Sequence, residues 1–219
     1  IGLECAPPKQ VERCLIVENG SATGDLNPPS DLLAQLARWN GNRRYPVIFV
    51  VKDRRYLVEP SFALGTVYLF GAGHVSQYVS PLAKQVDFRV VVMDDRAEFA
   101  NEERFPEADA VHVLSSFDSC FQQLDIDDES YVVIVTRGHL HDKVVLQQAL
   151  RTDARYIGMI GSRRKRDRIY GELTSEGFSA NDLARVYAPI GTAIAAETPE
   201  EIGISIVGEL IKVRASSGQ

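Results

Sequence analysis

Two glycines, a histidine and a serine occur together in the heptapeptide FGAGHVS, as Gly71, Gly73, His74 and Ser76. Where a strand turns into a helix in a dinucleotide-binding domain, the first glycine allows the tight turn. The second lets the backbone approach a pyrophosphate at the helix N-terminus. Ser76 holds the third position of this motif, where a small residue allows close packing of helix and strand. His74 could donate a hydrogen bond to a ligand or accept one. The spacing predicts an anion-binding turn.

Two adjacent carboxylates follow this turn at a spacing that also has a chemical meaning. Asp94 ends the apolar run RVVVMD about 20 residues after Gly71, where such domains carry an acid that accepts a hydrogen bond from a ribose hydroxyl. Asp95 could take the same role. Two acids would repel a 2′-phosphate, so the pair favours NAD over NADP if a dinucleotide binds.

A second group of polar side chains lies in TRGHLHDK, after the fourth apolar run from Thr66 onward. Arg137, His139 and His141 should lie at the carboxyl edge of the predicted sheet, where ligands bind in open α/β folds. We assign them to a ligand pocket. Two histidines and Asp142 could instead ligate a metal, and Asp142 could simply cap the next helix.

The segment IGMIGSRRKRDR is strongly basic within an acidic chain. Gly161 precedes Ser162, which is predicted to cap a helix whose first turn contains Arg163, Arg164 and Lys165. Cations at a helix N-terminus oppose the helix dipole, and an anionic ligand would relieve that conflict. Backbone N–H groups, a hydroxyl and guanidinium groups suit a phosphate. We predict an anion site here; a solvated basic face is the alternative.

Alternating strand and helix patterns surround these motifs. Five apolar runs, TVYLF, RVVVMD, AVHVL, YVVIVT and RYIGMIG, predict strands of a parallel sheet covered on both faces. Helices are expected at His74 to Val86 and Asp142 to Arg151, and a last helix should begin at TPEE, with Thr198 as its N-cap. We therefore predict an α/β fold, a Rossmann-like doubly wound parallel sheet, over residues 63–219.

Residues 1–62 have a different pattern, which predicts a smaller N-terminal α+β domain. SDLLAQLARWN suits a short amphipathic helix, and Val47 to Val51 with Tyr56 to Val58 suit a hairpin. Because the sequence opens abruptly at IGLEC, we expect this domain to be truncated, only part of a larger one.

Composition limits the classes of partner. The 219 residues are 45% hydrophobic and 25% charged, as in ordinary globular proteins, with a net charge of −6 that disfavours nucleic acid and anionic membranes. No apolar run is long enough to span a bilayer, and the N-terminus lacks a signal-peptide pattern. Three widely spaced cysteines, Cys5, Cys14 and Cys120, form no disulfide framework, which predicts a cytoplasmic protein.

Four segments in the same order resemble the XdhC/CoxI family of xanthine dehydrogenase accessory factors. They are the stretch from YLFGAGHVS to PEAD, VTRGHLHDKVVLQQAL, YIGMIGSRRKR and APIGTAIAAETPEEIGISIVGELI, and the similarity covers about Val67 to Arg214. It implies a Rossmann domain joined to a smaller domain. It also implies an accessory factor that binds the molybdenum cofactor, shields it during sulfuration and passes it to an apo molybdenum hydroxylase. A cysteine desulfurase partner would supply the sulfur.

The resemblance also implies roles for individual residues. A phosphate of the pterin, or of a nucleotide-extended pterin, would be held by Gly71, Gly73, Ser162 and Arg163. The metal-bearing end would lie near three histidines, His74, His139 and His141. Family members carry a GGC segment near the N-terminus, and this chain retains only a cysteine in a similar place, Cys5.

Two other functions remain open at this stage. The first is an NAD(P)-dependent oxidoreductase that uses the same turn, although the chain has no Tyr-x-x-x-Lys pair and no clear acid/base residue on a substrate domain. The second is a metal-dependent hydrolase that uses His139, His141 and Asp142. The apolar last helix also suggests a homodimer.

Overall fold

The computed structural model describes residues 12–17, 20–39, 46–59 and 65–216. The chain divides into two compact units, Ile1–Phe62 and Ala63–Gln219. Cys5 lies outside the described residues.

In its described residues, the smaller unit contains two antiparallel strand pairs and one helix. Strand β1 (Cys14–Ile16) pairs with β2 (Ala22–Gly24), and β3 (Val47–Val51) pairs with β4 (Arg54–Val58). Helix α1 covers Ser30–Ala37. The predicted small α+β part with its hairpin is therefore confirmed.

The larger unit is built on a six-stranded parallel sheet. Its strands are β5 (Thr66–Phe70), β6 (Arg89–Asp94), β7 (Ala110–Val113), β8 (Ser130–Ile134), β9 (Tyr156–Met159) and β10 (Val186–Tyr187). They lie in the order β7-β6-β5-β8-β9-β10, which is the 3-2-1-4-5-6 order of the doubly wound Rossmann fold. The order reverses between β5 and β8, so that these two adjacent strands form the switch point.

Helices cover both faces of this sheet. They are α2 (His74–Gln85), α3 (His139–Ala149), α4 (Arg163–Ser175), α5 (Ala180–Ala184) and α6 (Pro199–Ser216), and a 3-10 turn covers Phe117–Ser119. Residues of α2 and α6 join one buried apolar cluster, and residues of α3 and α4 join a second cluster. The continuous apolar runs of the strands are buried because both faces are covered.

The helix starts follow the sequence signals closely. Ser162 caps α4, and Thr198 and Glu201 form the predicted reciprocal bonds at α6, with Glu201 N 3.3 Å from Thr198 Oγ1 and Thr198 N 3.1 Å from Glu201 Oε2. Helix α3 starts earlier than predicted, because Gly138 (φ 94°) takes the N-cap position. Within the described ranges, no helix has the length and apolar character needed to cross a membrane.

Candidate functional site

The two glycines of the β5–α2 turn have different roles. Gly71 has a φ of +107°, and a Cβ there would lie 2.5 Å from the carbonyl oxygen of Val135, so only glycine fits. Gly73 has an ordinary φ of −76°, and a Cβ there would meet no atom of the described residues within 4 Å. Ser76 is fully buried, and its hydroxyl donates to the Gly71 carbonyl. Gly71 and Ser76 therefore build the turn, whereas Gly73 leaves open space in front of α2.

Two helices begin at the switch point without a side-chain cap. The N-cap of α2 is Gly73 and that of α3 is Gly138, and neither helix receives a capping hydrogen bond from a side chain. A Cβ on Gly138 would also meet nothing within 4 Å. The first-turn N–H groups of a helix have no intrahelical acceptors and carry the positive end of its dipole. Because β5 and β8 are adjacent, this edge presents two such N-termini. His74 lies exposed on the first turn of α2.

Of the two adjacent acids, Asp94 is used inside the protein. It is 2% exposed, and its carboxylate accepts from Ala72 N at 2.8 Å and from Arg96 Nε at 2.8 Å and Nη2 at 3.0 Å. Burial alone would raise the pKa of Asp94, but the bonds from Arg96 and Ala72 outweigh it and hold that pKa below its ordinary value. Asp94 thus ties the glycine turn to the end of β6.

Asp95 retains an oxygen for a ligand. Its Oδ2 accepts from Arg137 Nη2 at 2.7 Å. Its Oδ1 is buried with no hydrogen-bond partner among the described residues, and Arg96 Nε is 3.9 Å away. In the position where Rossmann domains bind a ribose, Asp95 is therefore the better placed of the two acids.

Two guanidinium groups flank the glycine turn. The Arg137–Asp95 ion pair joins the loops that follow β8 and β6, the two neighbours of β5, and so it passes across the end of β5. Arg104 Nη2 donates to Gln77 Oε1 on α2 at 2.9 Å and lies 3.4 Å from the Ala72 carbonyl oxygen. The Nε of Arg104 is buried and has no partner in the described part of the chain. Sequence reasoning missed Arg104, because it belongs to no motif and reaches the turn only through folding.

A buried ion pair supports the loop after β8. Asp142 is fully buried, and its Oδ1 accepts from Thr136 N at 3.2 Å and Thr136 Oγ1 at 2.5 Å, while its Oδ2 pairs with Lys165 Nζ in the first turn of α4. Burial raises the pKa of Asp142, although Lys165 and Thr136 oppose that rise. The prediction that Asp142 caps the next helix is therefore wrong, since Gly138 holds that position.

The residues of the metal-hydrolase alternative do not converge. His139 Nε2 lies 3.5 Å from Glu172 Oε1 on α4, and the His141 ring packs on Phe117 at 5.1 Å, while Asp142 faces Lys165. Across the described ranges, no group of three His, Cys, Asp or Glu side chains is arranged to hold a metal. His139 therefore contacts α4, whereas His141 contacts the 3-10 turn.

The basic segment separates into an inward and an outward part. Gly161 has a φ of +147°, and a Cβ there would lie 2.6 Å from Lys165 Cδ. Ser162 Oγ accepts from Lys165 N at 3.2 Å. Arg163 and Arg164 are exposed. Of the three cations predicted in the first turn of α4, Lys165 is therefore the one that points inward.

Cys120 lies apart from these groups and is expected to be chemically inert in the folded protein. Burial raises its pKa to about 12, so the reactive thiolate is almost absent at neutral pH. We expect Cys120 to resist a thiol reagent such as dithionitrobenzoate at pH 8 and to react once the protein is unfolded in guanidinium. Peptide mapping of the labelled cysteines would check this; rapid labelling of Cys120 in the native protein would contradict it.

The strand order and the glycine turn define a Rossmann domain. Residues 67–210, about two thirds of the chain, match the family model of the XdhC Rossmann domain. The chain therefore belongs to the XdhC family, and the resemblance found in its motifs is confirmed.

Individual relatives are similar over the same part of the chain. The uncharacterised protein YqeB of Escherichia coli (strain K12) is 33% identical over 146 residues, 67% of this chain and 27% of that protein. A probable xanthine dehydrogenase subunit of Bacillus subtilis (strain 168) is 29% identical over 147 residues, 67% of this chain and 42% of that protein. The chain thus spans less than half the length of either relative.

A solved structure is similar over most of the chain. The crystal structure of a xanthine dehydrogenase from Bacillus halodurans has a TM-score of 0.71 and 26% sequence identity, and the similarity covers 94% of this chain and 58% of that one.

Proposed function

We propose that this protein binds the molybdenum cofactor at the carboxyl edge of its Rossmann sheet and delivers it to a xanthine dehydrogenase-type molybdenum hydroxylase. The observation that carries the proposal is the open space at Gly73, in front of the uncapped N-terminus of α2. Two of the relatives support the choice of acceptor, because one is a xanthine dehydrogenase and the other is a probable component of such an enzyme.

The groups at this edge suit a ligand that carries a phosphate. The α2 N-terminus offers N–H donors to an anion, and Arg137 and Arg104 add positive charge on two sides of the turn. Two buried atoms there, Asp95 Oδ1 and Arg104 Nε, have no partner among the described residues. A phosphate of the bound cofactor could accept from Arg104 Nε, and an amino or hydroxyl group of the pterin or of a nucleotide could donate to Asp95 Oδ1.

Under this proposal, the protein does not itself catalyse a reaction. The cofactor brings the metal chemistry to the hydroxylase, while this chain would bind it, orient it and keep water from it. Delivery needs contact with an apo molybdenum hydroxylase, and sulfuration before delivery needs a cysteine desulfurase. A cytoplasmic location would suit both encounters.

Co-purification tests the proposal directly. The protein is mixed with molybdenum cofactor under anaerobic conditions and gel-filtered, and pterin fluorescence and molybdenum are measured in the protein peak. We expect near-stoichiometric co-elution. Transfer is then measured as the activity that the loaded protein restores to an apo hydroxylase. A protein peak without pterin would contradict the proposal.

Arg137→Ala should weaken cofactor binding. A charge-assisted hydrogen bond contributes roughly 1.5–3 kcal/mol, so the dissociation constant should rise by about 10- to 150-fold. Loss of Arg137 also leaves Asp95 without its ion-pair partner, which adds repulsion against a phosphate. The matched control is Arg168→Ala, an exposed arginine on α4 that should leave the affinity unchanged. If both variants bound the cofactor with equal affinity, Arg137 would not be part of the binding site.

One observation favours a second candidate, an NAD-dependent oxidoreductase. Asp95 lies after β6, where a ribose hydroxyl would bind, and its Oδ1 lacks a partner in the described residues. A ligand at a hundredfold its dissociation constant should raise the free energy of unfolding by about 2.7 kcal/mol. Thermal unfolding with NAD therefore separates the two: stabilisation by NAD without pterin co-elution would favour the oxidoreductase.

A further inference from the structure

Helix α6 contains two glycines, and packing against the described part of the chain explains only one of them. A Cβ on Gly203 would lie 2.9 Å from the Cβ of Tyr78, so glycine is needed for the close contact of α6 with α2. Gly208 is exposed, and a Cβ there would have only Thr192 Oγ1 near it, at 3.9 Å. Glycine is among the poorest helix formers. Gly208 thus weakens α6 with no compensating contact among the described residues.

Exposed isoleucines lie one turn to either side of Gly208. Ile204 is 56% exposed and Ile211 is 37% exposed, and the i, i+4, i+7 spacing places all three residues on one face. The opposite face of α6 is already used, since Ile206 and Leu210 are fully buried in the core. We call the surface of Ile204, Gly208 and Ile211 the outer stripe. An apolar stripe with a small residue at its centre is suited to close contact with another helix.

The charges at the two ends of α6 identify the partner. The first turn contains Glu200 and Glu201, and the exposed Lys212 lies near the other end. When two copies of α6 pair antiparallel about a two-fold axis near Gly208, Ile204 meets the partner's Ile211, while Lys212 approaches the partner's Glu201. A parallel pair would bring like charges together. The stripe is therefore self-complementary, as a two-fold interface requires.

We propose that a second copy of this chain docks on the outer stripe, so that two α6 helices cross at Gly208 in a symmetric homodimer. The two glycines would let the helix backbones approach closely, with four isoleucines packed around them. The ion pairs between Lys212 and the partner's Glu201 would set the antiparallel direction. This proposal is independent of which ligand the Rossmann edge binds.

Sedimentation velocity over a range of protein concentrations tests the interface. We expect the wild-type chain to reach twice its 24.3 kDa mass. Gly208→Arg would place two like-charged arginines, one from each copy, against each other on the two-fold axis. It should raise the dimer dissociation constant roughly a hundredfold, as substitutions of central interface residues do. The variant should keep the wild-type circular dichroism and melting temperature, because the chain itself leaves space at Gly208.

Gly171→Arg is the matched control. Gly171 is also an exposed helix glycine with nothing within 4 Å of a Cβ, but its neighbours on α4 one turn away, Asp167, Arg168 and Thr174, are polar. This variant should dimerise like the wild type. A wild-type chain that stays monomeric at every concentration would overturn the proposal. A dimer that survives both Gly208→Arg and Ile211→Glu would overturn it as well.

Discussion

Replacing Gly73 by valine should abolish binding of the molybdenum cofactor and leave the fold intact. The valine side chain would occupy the open space in front of α2, where a Cβ meets no described residue within 4 Å. It would also stand between the first-turn N–H groups and any anion that approaches them. The φ of −76° at Gly73 suits any residue, so the free energy of unfolding should change by only about 1 kcal/mol, through the poorer N-cap.

The measurement is pterin fluorescence in the protein peak after gel filtration, together with urea unfolding of each variant. Gly171→Val serves as the control, because it adds the same side chain at an exposed helix glycine with open space around it. That control should bind the cofactor normally. Full binding by Gly73→Val would show that the ligand does not approach the α2 N-terminus, and the proposed site would have to be abandoned.

Replacing Lys165 by methionine should lower the free energy of unfolding by about 3 kcal/mol at pH 7, since removal of one partner leaves a buried charge uncompensated. Asp142 is fully buried, and Lys165 has a side chain only 22% exposed, so water screens the pair weakly. Asp142 also holds the backbone and hydroxyl of Thr136, whose Cα borders the space at Gly71. The variant should therefore loosen the loop after β8 as well as α4.

The pH dependence of this variant distinguishes loss of charge pairing from loss of packing. Burial already raises the folded-state pKa of Asp142 above its ordinary value of 3.8, and loss of Lys165 should raise it further. The folded state then binds a proton more readily than the unfolded state, so lowering the pH through the raised pKa favours folding. We expect the stability deficit of Lys165→Met to shrink as the pH is lowered from 7 through the raised pKa of Asp142.

Two further variants complete this test by urea unfolding. Arg164→Met changes the exposed neighbour of Lys165 and should leave stability unchanged. Adding Asp142→Asn to Lys165→Met should recover part of the loss, because the amide oxygen can still accept from Thr136 without a buried charge. A Lys165→Met protein as stable as Arg164→Met, with no dependence on pH, would show that the ion pair contributes nothing to the fold.

Much of the fold could be predicted from local patterns. The apolar runs placed β5 and β6 with their observed bounds, and Ser162 and Thr198 marked the starts of α4 and α6. Capping bonds join residues only three positions apart, so their sequence signals hold in any tertiary setting. The two-residue strand β10 was not predicted, because so short a segment has no periodicity of its own.

The candidate site was predictable only in outline. FGAGHVS indicated the turn, and the order of strands and helices placed TRGHLHDK and IGMIGSRRKR after strands of the same sheet. The directions of the side chains could not be predicted. His139 and His141, two residues apart on α3, face Glu172 and Phe117, and those partners come from other segments of the chain.

By itself, the sequence determined the class of fold, the glycine turn and the family, because these depend on local spacing and on motifs in a set order. Tertiary structure decided which charged groups remain free for a ligand. Asp94 is buried against Ala72, whereas Asp95 Oδ1 has no hydrogen-bond partner among the described residues. Arg104 reaches the glycine turn, and Lys165 points inward while Arg163 and Arg164 stay exposed. The physical reason is that burial and pairing of a charge depend on contacts between segments far apart in the chain. The local sequence therefore does not show which of two neighbouring charged residues will be buried and which will stay exposed.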